Sequence, residues 1–379
     1  YDIHEGLVGS VMCISDRETG HFPLITWDGS KSNPTVILTD PADLPGIGIA
    51  ADNLSKDFER VCGSKPTMLK ARKPDSNLPK HLIVAASCNS QLIKDLFKNK
   101  KLNEADLKGK YEKYIIKTVE NPYPGVEEAL VIAGSDRRGT IYGIYELSEQ
   151  IGVSPWYDWA DVPPTSHKQL FLAPGTYTAG EPAVKYRGIF LNDEAPCLTG
   201  WVKNTYGTDY GDHRFYARVF ELLLRLRANF MWPAMWSWAF YADDPENLRT
   251  ADEMGIMMGT SHHEPMARNH QEWARHRNEF GAWNYATNKE TIDKFFTDGI
   301  RRMNGTEDVV TIGMRGDGDE AMSAEADVKL LKSIIDNQRK IIAKETGRPA
   351  KETPQVWALY KEVLDYYDAG LRVPDDVTI

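Results

Sequence analysis

Cysteine is scarce in this chain, and neither a long apolar run nor an excess of positive charge is present. The four cysteines, Cys13, Cys62, Cys88 and Cys197, lie at wide and irregular spacing, unlike the regular sets that bind zinc or build a disulfide framework. One disulfide is compatible with this spacing, and none is required. No apolar run approaches the ~20 residues that a membrane-spanning helix needs. The sequence therefore predicts no membrane partner.

The charge balance argues against a nucleic acid partner. The chain has 45 Lys and Arg against 55 Asp and Glu, for a formal net charge of −10. Nucleic acid binding depends on clustered cations that displace counterions from phosphates. An acidic substrate would therefore need a locally basic site. With 379 residues, 41% of them apolar, the chain can bury a large core and form more than one domain.

Short β-rich runs alternate with helical stretches in the first part of the chain, which is typical of a layered α/β domain. Buried strands are predicted at residues 35–38, 81–86 and 129–133. The stretch from Pro163 to Pro182 is rich in Pro, Gly, Ser and Thr, which favour turns over regular structure. We therefore predict an N-terminal α/β accessory domain over residues 1–180.

From residue 181 to residue 379 the pattern becomes strictly strand and then helix. The predicted strands are residues 187–191, 229–232, 256–259, 309–313, 355–358 and a last one from Val377. Consecutive β-α units predict a parallel sheet with right-handed crossovers, most simply a catalytic (β/α)8 TIM-type barrel. Fewer than eight units fit, and an unclosed barrel would expose unpaired strands. The barrel is thus predicted to be incomplete at the C-terminus, as part of a longer protein.

Acidic residues follow several of these strands, where a parallel barrel places its active face. Asp193 and Glu194 follow the first strand, Asp319 the fourth and Glu362 the fifth. Adjacent side chains in an extended chain point to opposite sides, so only one of Asp193 and Glu194 should face the barrel axis. Each acid has a plainer interpretation as a solvated loop residue or, for Glu362, a helix-start residue. Together they favour glycoside hydrolysis, which needs two carboxyl groups.

Four further residues are candidates for binding a substrate. Arg315 can bind a carboxylate through two parallel hydrogen bonds and hold Asp319 ionised. Trp236 follows the second strand, where an exposed indole can stack on a sugar ring. His262 and His263 follow the third strand as hydrogen-bond donors, although His263 could equally be a packing residue. The His-Glu-x-x-His spacing is absent, and no later His or Cys cluster completes a ligand set, so we predict no metal and no cofactor.

Several sequence strings resemble glycoside hydrolase family 115, the xylan α-1,2-glucuronidases. The strings are Tyr186–Pro196, Leu222–Leu226, Met231–Trp236, Met258–Met266 and Arg315–Glu320, and the resemblance begins in the first domain at Gly134–Glu149. The first domain also resembles the accessory α/β domain that precedes the barrel in hexosaminidase-type and glucuronidase-type families.

The resemblance implies inverting hydrolysis of the α-1,2 bond that joins glucuronic acid, or its 4-O-methyl ether, to xylose in glucuronoxylan. Glu362 is then the leading general acid, with Asp193 or Asp319 orienting and activating water and Glu194 kept as a further candidate. Inversion implies carboxyl groups roughly 6.5–9.5 Å apart. The resemblance also assigns binding of the uronate carboxylate or of sugar hydroxyls to Arg315, assisted by His262, and shaping of the pocket to Trp236. Family members continue into a helical region and a β domain, through which a homodimer could form.

Two other functions fit the same residues. One is a hexosaminidase-like hydrolase, in which the acetamido group of the substrate attacks, and the other is a non-catalytic carbohydrate-binding protein. Two glycosylation sequons, Asn53–Ser55 and Asn304–Thr306, together with the resemblance, predict a secreted, extracellular glycoprotein.

Overall fold

The computed structural model describes residues 12–16, 20–74 and 77–379. The chain divides into two compact units, of which the first comprises residues 1–187 with 221–228 and 253–255. The second unit comprises residues 188–220, 229–252 and 256–379. None of the helices formed by the described residues is long and apolar enough to cross a membrane.

The described residues form strands and helices throughout both units. The strands are β1 (Ile14–Ser15), β2 (Phe22–Trp27), β3 (Ser32–Pro34), β4 (Ile37–Thr39), β5 (Met68–Lys70), β6 (His81–Ser87), β7 (Tyr114–Glu120), β8 (Glu128–Gly134), β9 (Leu170–Leu172), β10 (Thr176–Tyr177), β11 (Gly188–Phe190), β12 (Phe230–Trp232), β13 (Met257–Gly259), β14 (Asp308–Thr311), β15 (Gln355–Val356) and β16 (Val377–Thr378). The helices are α1 (Pro45–Cys62), α2 (Gln91–Lys98), α3 (Arg137–Gln150), α4 (Cys197–Tyr206), α5 (His213–Arg225), α6 (Phe240–Asp243), α7 (Glu246–Met254), α8 (His270–Arg275), α9 (Arg277–Phe280), α10 (Lys289–Met303), α11 (Val328–Thr346) and α12 (Val363–Asp368).

The first unit contains two sheets. An antiparallel sheet has the strand order β1-β9-β2-β3, and a six-stranded sheet has the order β10-β7-β8-β6-β4-β5. In the larger sheet β8, β6, β4 and β5 run parallel, whereas at one edge β7 pairs antiparallel with β8 and β10 pairs antiparallel with β7. Strand β6 is buried on both faces, as expected for a strand covered by helices on each side. The strands predicted at residues 35–38, 81–86 and 129–133 are confirmed as β4, β6 and β8.

Helix α1 shows how local chemistry fixes the elements of the first unit. Pro45 stands at its start, where the missing N–H costs nothing. Gly63 ends it in a left-handed conformation with φ of 76°, donating its N–H to the Glu59 carbonyl. One face of the helix is buried, and this includes Asn53, whose Nδ2 donates to the Tyr145 hydroxyl at 2.9 Å. Asn53 is 7% exposed, so the side chain of this sequon asparagine is buried in the folded chain.

The second unit is built on one parallel sheet. Its strand order, β11-β12-β13-β14-β15-β16, follows the chain, and every neighbouring pair is parallel. Helices lie between consecutive strands along the chain, which is the β-α succession that the sequence predicts. The apolar face of α10, with Ile292, Phe296 and Ile300, packs in one core with Leu331 and Ile334 of α11. The mixed α/β architecture of the prediction is therefore confirmed.

All four cysteines lie in the described part of the chain, and all are free thiols. The disulfide that the spacing allowed is therefore not formed. Asn304, the asparagine of the second sequon, is exposed and remains available to solvent.

Candidate active site

The candidate residues follow the carboxyl ends of five parallel strands in the second unit. Asp193 follows β11, Trp236 follows β12, His262 follows β13, Arg315 follows β14 and Glu362 follows β15. Because neighbouring strands of this sheet are all parallel, their carboxyl ends meet at one edge. Residues that are far apart in the sequence are thereby brought to one place.

Arg315 lies at the centre of the site, with a side chain that is only 2% exposed. Its Nε and Nη2 donate to Oε1 and Oε2 of Glu362 at 2.8 and 2.7 Å, a bidentate arrangement. Its Nη1 donates to Oδ1 of Asp319, and its Nη2 also donates to the Asp319 carbonyl at 3.1 Å. One buried guanidinium therefore holds two of the predicted catalytic carboxylates.

Both carboxylates bound by Arg315 are ionised in the free site. Burial alone would raise the pKa of Asp319, but hydrogen bonds from Lys361, Arg315 and His262 outweigh it and lower that pKa well below its usual range. Burial opposes ionisation of Glu362 in the same way, and the hydrogen bonds from Arg315 again prevail and lower its pKa. The sequence-based expectation that Arg315 keeps Asp319 ionised agrees with these contacts.

Asp193 serves a different purpose in this structure. It is 3% exposed, and its two oxygens accept the backbone N–H groups of residues 235–238 at 2.5–3.0 Å and the Ser237 hydroxyl at 2.8 Å. A carboxylate offers about four acceptor sites, so five donors leave none for a water molecule. Asp193 thus fixes the loop that presents Trp236.

The neighbours of Asp193 differ from it in exposure. Glu194 is exposed and makes no side-chain hydrogen bond among the described contacts, as the alternation of an extended chain requires for one of the two acids. Trp236 is 47% exposed, while its carbonyl accepts Nε2 of Gln271 at 2.6 Å. The indole is therefore available to a ligand, while the backbone N–H and carbonyl of Trp236 are both hydrogen-bonded.

The two histidines have different surroundings: His262 contacts an acid, whereas His263 packs in the interior. His262 lies with Nε2 at 2.9 Å from Oδ1 of Asp319. His263 is 5% exposed, and its Nδ1 has no hydrogen-bond partner. Burial, followed by the neighbouring His262 and His270, lowers the pKa of His263 to about 3, so its ring is neutral. His263 is thus placed behind His262, with the two ring centres 4.9 Å apart.

A buried glutamate that sequence reasoning did not select holds this histidine loop. Glu264 is 1% exposed, and its Oε1 accepts the His270 N–H at 3.0 Å and Nδ2 of Asn269 at 3.3 Å. Burial raises the pKa of Glu264 to about 8, although these hydrogen bonds act in the opposite direction. Burial distinguishes it from the exposed acids, and the string His-His-Glu carries no local sign of that burial.

The loop that carries Arg315 and Asp319 is held shut by its own backbone and by His270. The Gly316 N–H donates to the Glu320 carbonyl at 2.8 Å, and a Cβ on Gly316 would collide with the Ala321 carbonyl. The Gly318 N–H donates to Nε2 of His270 at 2.9 Å. The arginine and the acid are therefore presented by a preformed turn.

His262, His263 and Asp319 also offer three atoms within 4.8 Å of one another, the spacing of a metal site. Asp319, however, already accepts from both Arg315 and Lys361. Two cations on that carboxylate oppose a third, so the contacts favour a hydrogen-bonded acid over a metal ligand.

Comparisons with known proteins identify the family of the chain. The sequence model of glycosyl hydrolase family 115 matches residues 179–379. The chain belongs to glycoside hydrolase family 115. No curated protein sequence matches the chain.

Among solved structures, one similar protein belongs to the same family and another shares only the fold. The chain is 33% identical to a family 115 4-O-methyl-α-glucuronidase with specificity for decorated arabinogalactans, over 93% of this chain and 45% of that enzyme, with a TM-score of 0.79. It thus spans less than half the length of that relative. A Streptomyces plicatus N-acetyl-β-hexosaminidase is similar in fold alone, with 12% identity over 92% of this chain and 64% of that one and a TM-score of 0.52.

Two residues next to Glu362 belong to the site of this family 115 chain and were not selected from the sequence. Lys361 has a φ of 51°, unusual for a residue with a side chain, and its Nζ donates to Oδ2 of Asp319 at 2.6 Å. Tyr360 is 42% exposed, with its ring centre 4.3 Å from that of His262. Only their place beside Glu362 could have suggested them.

The role of Asp193 can be tested by folding stability. We expect Asp193→Asn to lower the free energy of unfolding by about 1–3 kcal/mol, because an amide NH2 would face the N–H groups of the 235–238 loop. The adjacent Glu194→Gln is the matched control and should change it by less than about 0.5 kcal/mol. Urea denaturation measures both, and equal losses in the two variants would show that Asp193 does not hold the loop.

Proposed function

We propose that this chain carries the catalytic part of a glycoside hydrolase that removes glucuronic acid, or its 4-O-methyl ether, α-1,2-linked to xylose in glucuronoxylan. The observation that carries the proposal is the buried guanidinium of Arg315 between Asp319 and Glu362. Such a site offers a cation for an acidic sugar and two carboxyl groups for hydrolysis. Membership of family 115 and the similarity to a 4-O-methyl-α-glucuronidase support it.

We further propose that residues 181–379 form the larger part of a (β/α)8 barrel, preceded by an accessory α/β domain over residues 1–180. The sequential order of six parallel strands supports the barrel, as does the fold similarity to a hexosaminidase. In such a barrel the loops after the strands form the catalytic face, and these loops carry the candidate site.

In the proposed reaction Asp319 is the general base that activates water. Lys361 and His262 hold it together with Arg315, so Asp319 keeps two of its three partners when Arg315 turns to a substrate. It therefore stays ionised, which a base requires. Asp193, with its oxygens saturated by backbone donors, is proposed to keep the Trp236 loop in position.

Glu362 is the proposed general acid, and binding of the substrate is what converts it to its protonated form. In the free site Glu362 is ionised because Arg315 binds both its oxygens. A uronate carboxylate that binds Arg315 competes for the same N–H groups and brings a second negative charge beside Glu362. Both effects raise the pKa of Glu362, so the group takes up a proton as the acidic sugar binds and can protonate the leaving oxygen.

A second candidate substrate comes from the solved relative. That enzyme has specificity for decorated arabinogalactans, so an arabinogalactan that bears glucuronate is the competing substrate, and a sugar of that polymer would be the leaving group. The exposed aromatic side chains of Trp236 and Tyr360 suit the apolar face of either sugar. The acid chemistry is common to both candidates, and only the sugar that leaves distinguishes them.

Product analysis tests the function. The full-length protein incubated with glucuronoxylan should release 4-O-methylglucuronate, first as the β-anomer if the α-linkage is inverted. Decorated arabinogalactan and an N-acetylglucosaminide, tested in parallel, distinguish the other substrates. Release of N-acetylglucosamine, or of no uronate from either polysaccharide, would refute the proposal, and an α-anomer as first product would refute inversion.

We also propose that the protein acts outside the cell. A plant polysaccharide is too large to enter a cell intact, and Asn304 in its sequon is exposed and so accessible to glycosylation.

A further inference from the structure

The first unit contains an open cleft of about 700 Å³ that contributes nothing to the site described above, since all its lining residues lie within that unit. Three segments form its walls: the end of the β2–β3 hairpin, the last turn of α1 and residues 166–168. The walls are joined by hydrogen bonds. The Ser32 hydroxyl donates to the Lys168 carbonyl at 2.7 Å, and the His167 N–H donates to the Val61 carbonyl at 3.0 Å.

An exposed indole lies in this cleft. Trp27 is the last residue of β2, stands opposite Ser32 of β3 and is 38% exposed. The Lys168 ammonium lies 5.2 Å from the centre of its ring, which places a cation beside the aromatic surface. A large apolar side chain at a strand end, left partly open to solvent, is the type of surface on which a sugar ring stacks.

The cleft is basic although the chain carries a net charge of −10. Lys31, Arg60 and Lys168 line it, and Glu59 is the one acidic side chain among the described lining residues. Glu59 pairs with Lys65 at 3.3 Å, and Arg60 pairs with a carboxylate of its own helix. Within the described part of the chain, the two cleft lysines have no carboxylate partner, so their charges are available to an anion.

The hairpin turn that carries Lys31 is preformed. The Asp28 carboxylate accepts the N–H groups of Ser30 and Lys31, both at 2.9 Å, and Nδ2 of Asn33 at 2.9 Å. These bonds close the turn between β2 and β3 and hold the backbone of Lys31 beside Trp27. A turn fixed before the ligand arrives lowers the entropy that binding must overcome.

We propose that this cleft is a second carbohydrate-binding site, which holds a uronic-acid-bearing stretch of polysaccharide. The apolar C–H face of a pyranose stacks on Trp27, and the uronate carboxylate is bound by Lys31 and Lys168. The hydroxyls of Ser30 and Ser64 also line the cleft, and the Ser30 hydroxyl, which donates to Oδ1 of Asp28 at 2.7 Å, is left as an acceptor for a sugar hydroxyl. The uronate identity of the ligand rests on the proposed function, whereas the existence of the site rests on the cleft alone. The site would keep the enzyme on its polymer between catalytic events.

Affinity electrophoresis of the full-length protein tests the site with glucuronoxylan in the gel and with xylan stripped of its uronate as the neutral comparison. We expect Trp27→Ala to weaken retardation by glucuronoxylan about tenfold. Trp156→Ala is the matched control, since Trp156 is 44% exposed in the same unit and outside the cleft. Lys31→Glu should weaken retardation similarly, and Lys98→Glu, an exposed lysine outside the cleft, should not.

A second measurement separates this site from the catalytic one. Turnover of a short glucuronate-bearing xylo-oligosaccharide should be unchanged in Trp27→Ala, because Trp27 is not part of the active site. If retardation depends on Trp27 while no uronate is released from any substrate, the cleft proposal stands and the proposed function fails. Equal retardation of Trp27→Ala and Trp156→Ala would overturn the site. Equal retardation by the two gels would overturn the uronate ligand.

Discussion

Arg315→Met should lower kcat/KM for a glucuronate-bearing oligosaccharide by two to four orders of magnitude. The substitution removes the partner of two carboxylates at once, since Asp319 and Glu362 both accept from this guanidinium. Removing one partner of a buried ion pair costs about 3–5 kcal/mol, which corresponds to about a hundredfold to several thousandfold in rate if it falls on the transition state. In the proposed reaction the variant also loses the group that binds the uronate.

The pH dependence of this variant gives a second readout. Arg315 lowers the pKa of both Asp319 and Glu362, so both pKa values should rise when it is removed. The proposed base must be ionised, and the acidic limb of the kcat/KM profile should therefore move to higher pH. The folding stability that Arg315→Met loses should also depend on pH, and this loss should become smaller as the pH falls. A depressed carboxyl pKa stabilises the fold above the pKa of the unfolded state, so the deficit of the variant should be largest near neutrality and shrink at acid pH.

Two controls separate the guanidinium from charge in general. Arg315→Lys keeps the charge and loses the bidentate geometry, so we expect most of the activity loss to remain. Arg277→Met is the matched control, because Arg277 binds Asp317 in the same loop through Nη2 at 2.8 Å and touches neither Asp319 nor Glu362. Less than a tenfold loss is expected for it. Comparable losses in Arg277→Met and Arg315→Met would mean that loop integrity, and not the guanidinium, explains the effect.

The sequence predicts the strands of the second unit well because their signals are local. The apolar runs near Val309 and at Phe230–Trp232 are visible within a few residues, and the structure places β14 and β12 there. The acids after the strands are predicted in the same way, because a parallel sheet brings the carboxyl-terminal ends of its strands together. The periodicity of apolar side chains along the sequence, combined with the direction of the strands, therefore predicts most of the fold.

What the sequence could not predict are contacts between distant residues. Adjacent Asp193 and Glu194 were known to point apart, but the choice of the buried one depends on four N–H groups more than 40 residues later in the chain. Glu362 stands at the N-terminal cap position of α12, yet its side chain makes no capping bond there and binds Arg315 instead. Local propensity explains why Glu362 lies at the start of a helix, and only the contact with Arg315 explains why its carboxyl group is ionised.

The burial of Asn53, in the first sequon, has a related explanation. A tripeptide has no information on burial, whereas helix α1 places Asn53 among its buried residues with Leu54 and Phe58.

Glu362→Gln and Asp319→Asn should differ in how they respond to the leaving group. With a sugar as leaving group, both variants should lose about two to four orders of magnitude in kcat, since each lacks one arm of acid–base catalysis. With an aryl glucuronide whose phenol is acidic, the leaving oxygen needs no proton. Glu362→Gln should then approach the activity of the unmodified protein, whereas Asp319→Asn should stay defective because water must still be activated.

This comparison tests the assignment of the two carboxylates directly. Both are bound to the same guanidinium and both are ionised in the free site, so the assignment rests on the two further partners of Asp319, Lys361 and His262. Glu320→Gln, an exposed acid adjacent to Asp319, serves as the control and should keep full activity on both substrates. Rescue of Asp319→Asn instead of Glu362→Gln would reverse the two roles. Normal turnover of a sugar leaving group by Glu362→Gln would remove Glu362 from the mechanism, and with it the idea that the uronate displaces Arg315 to create the acid.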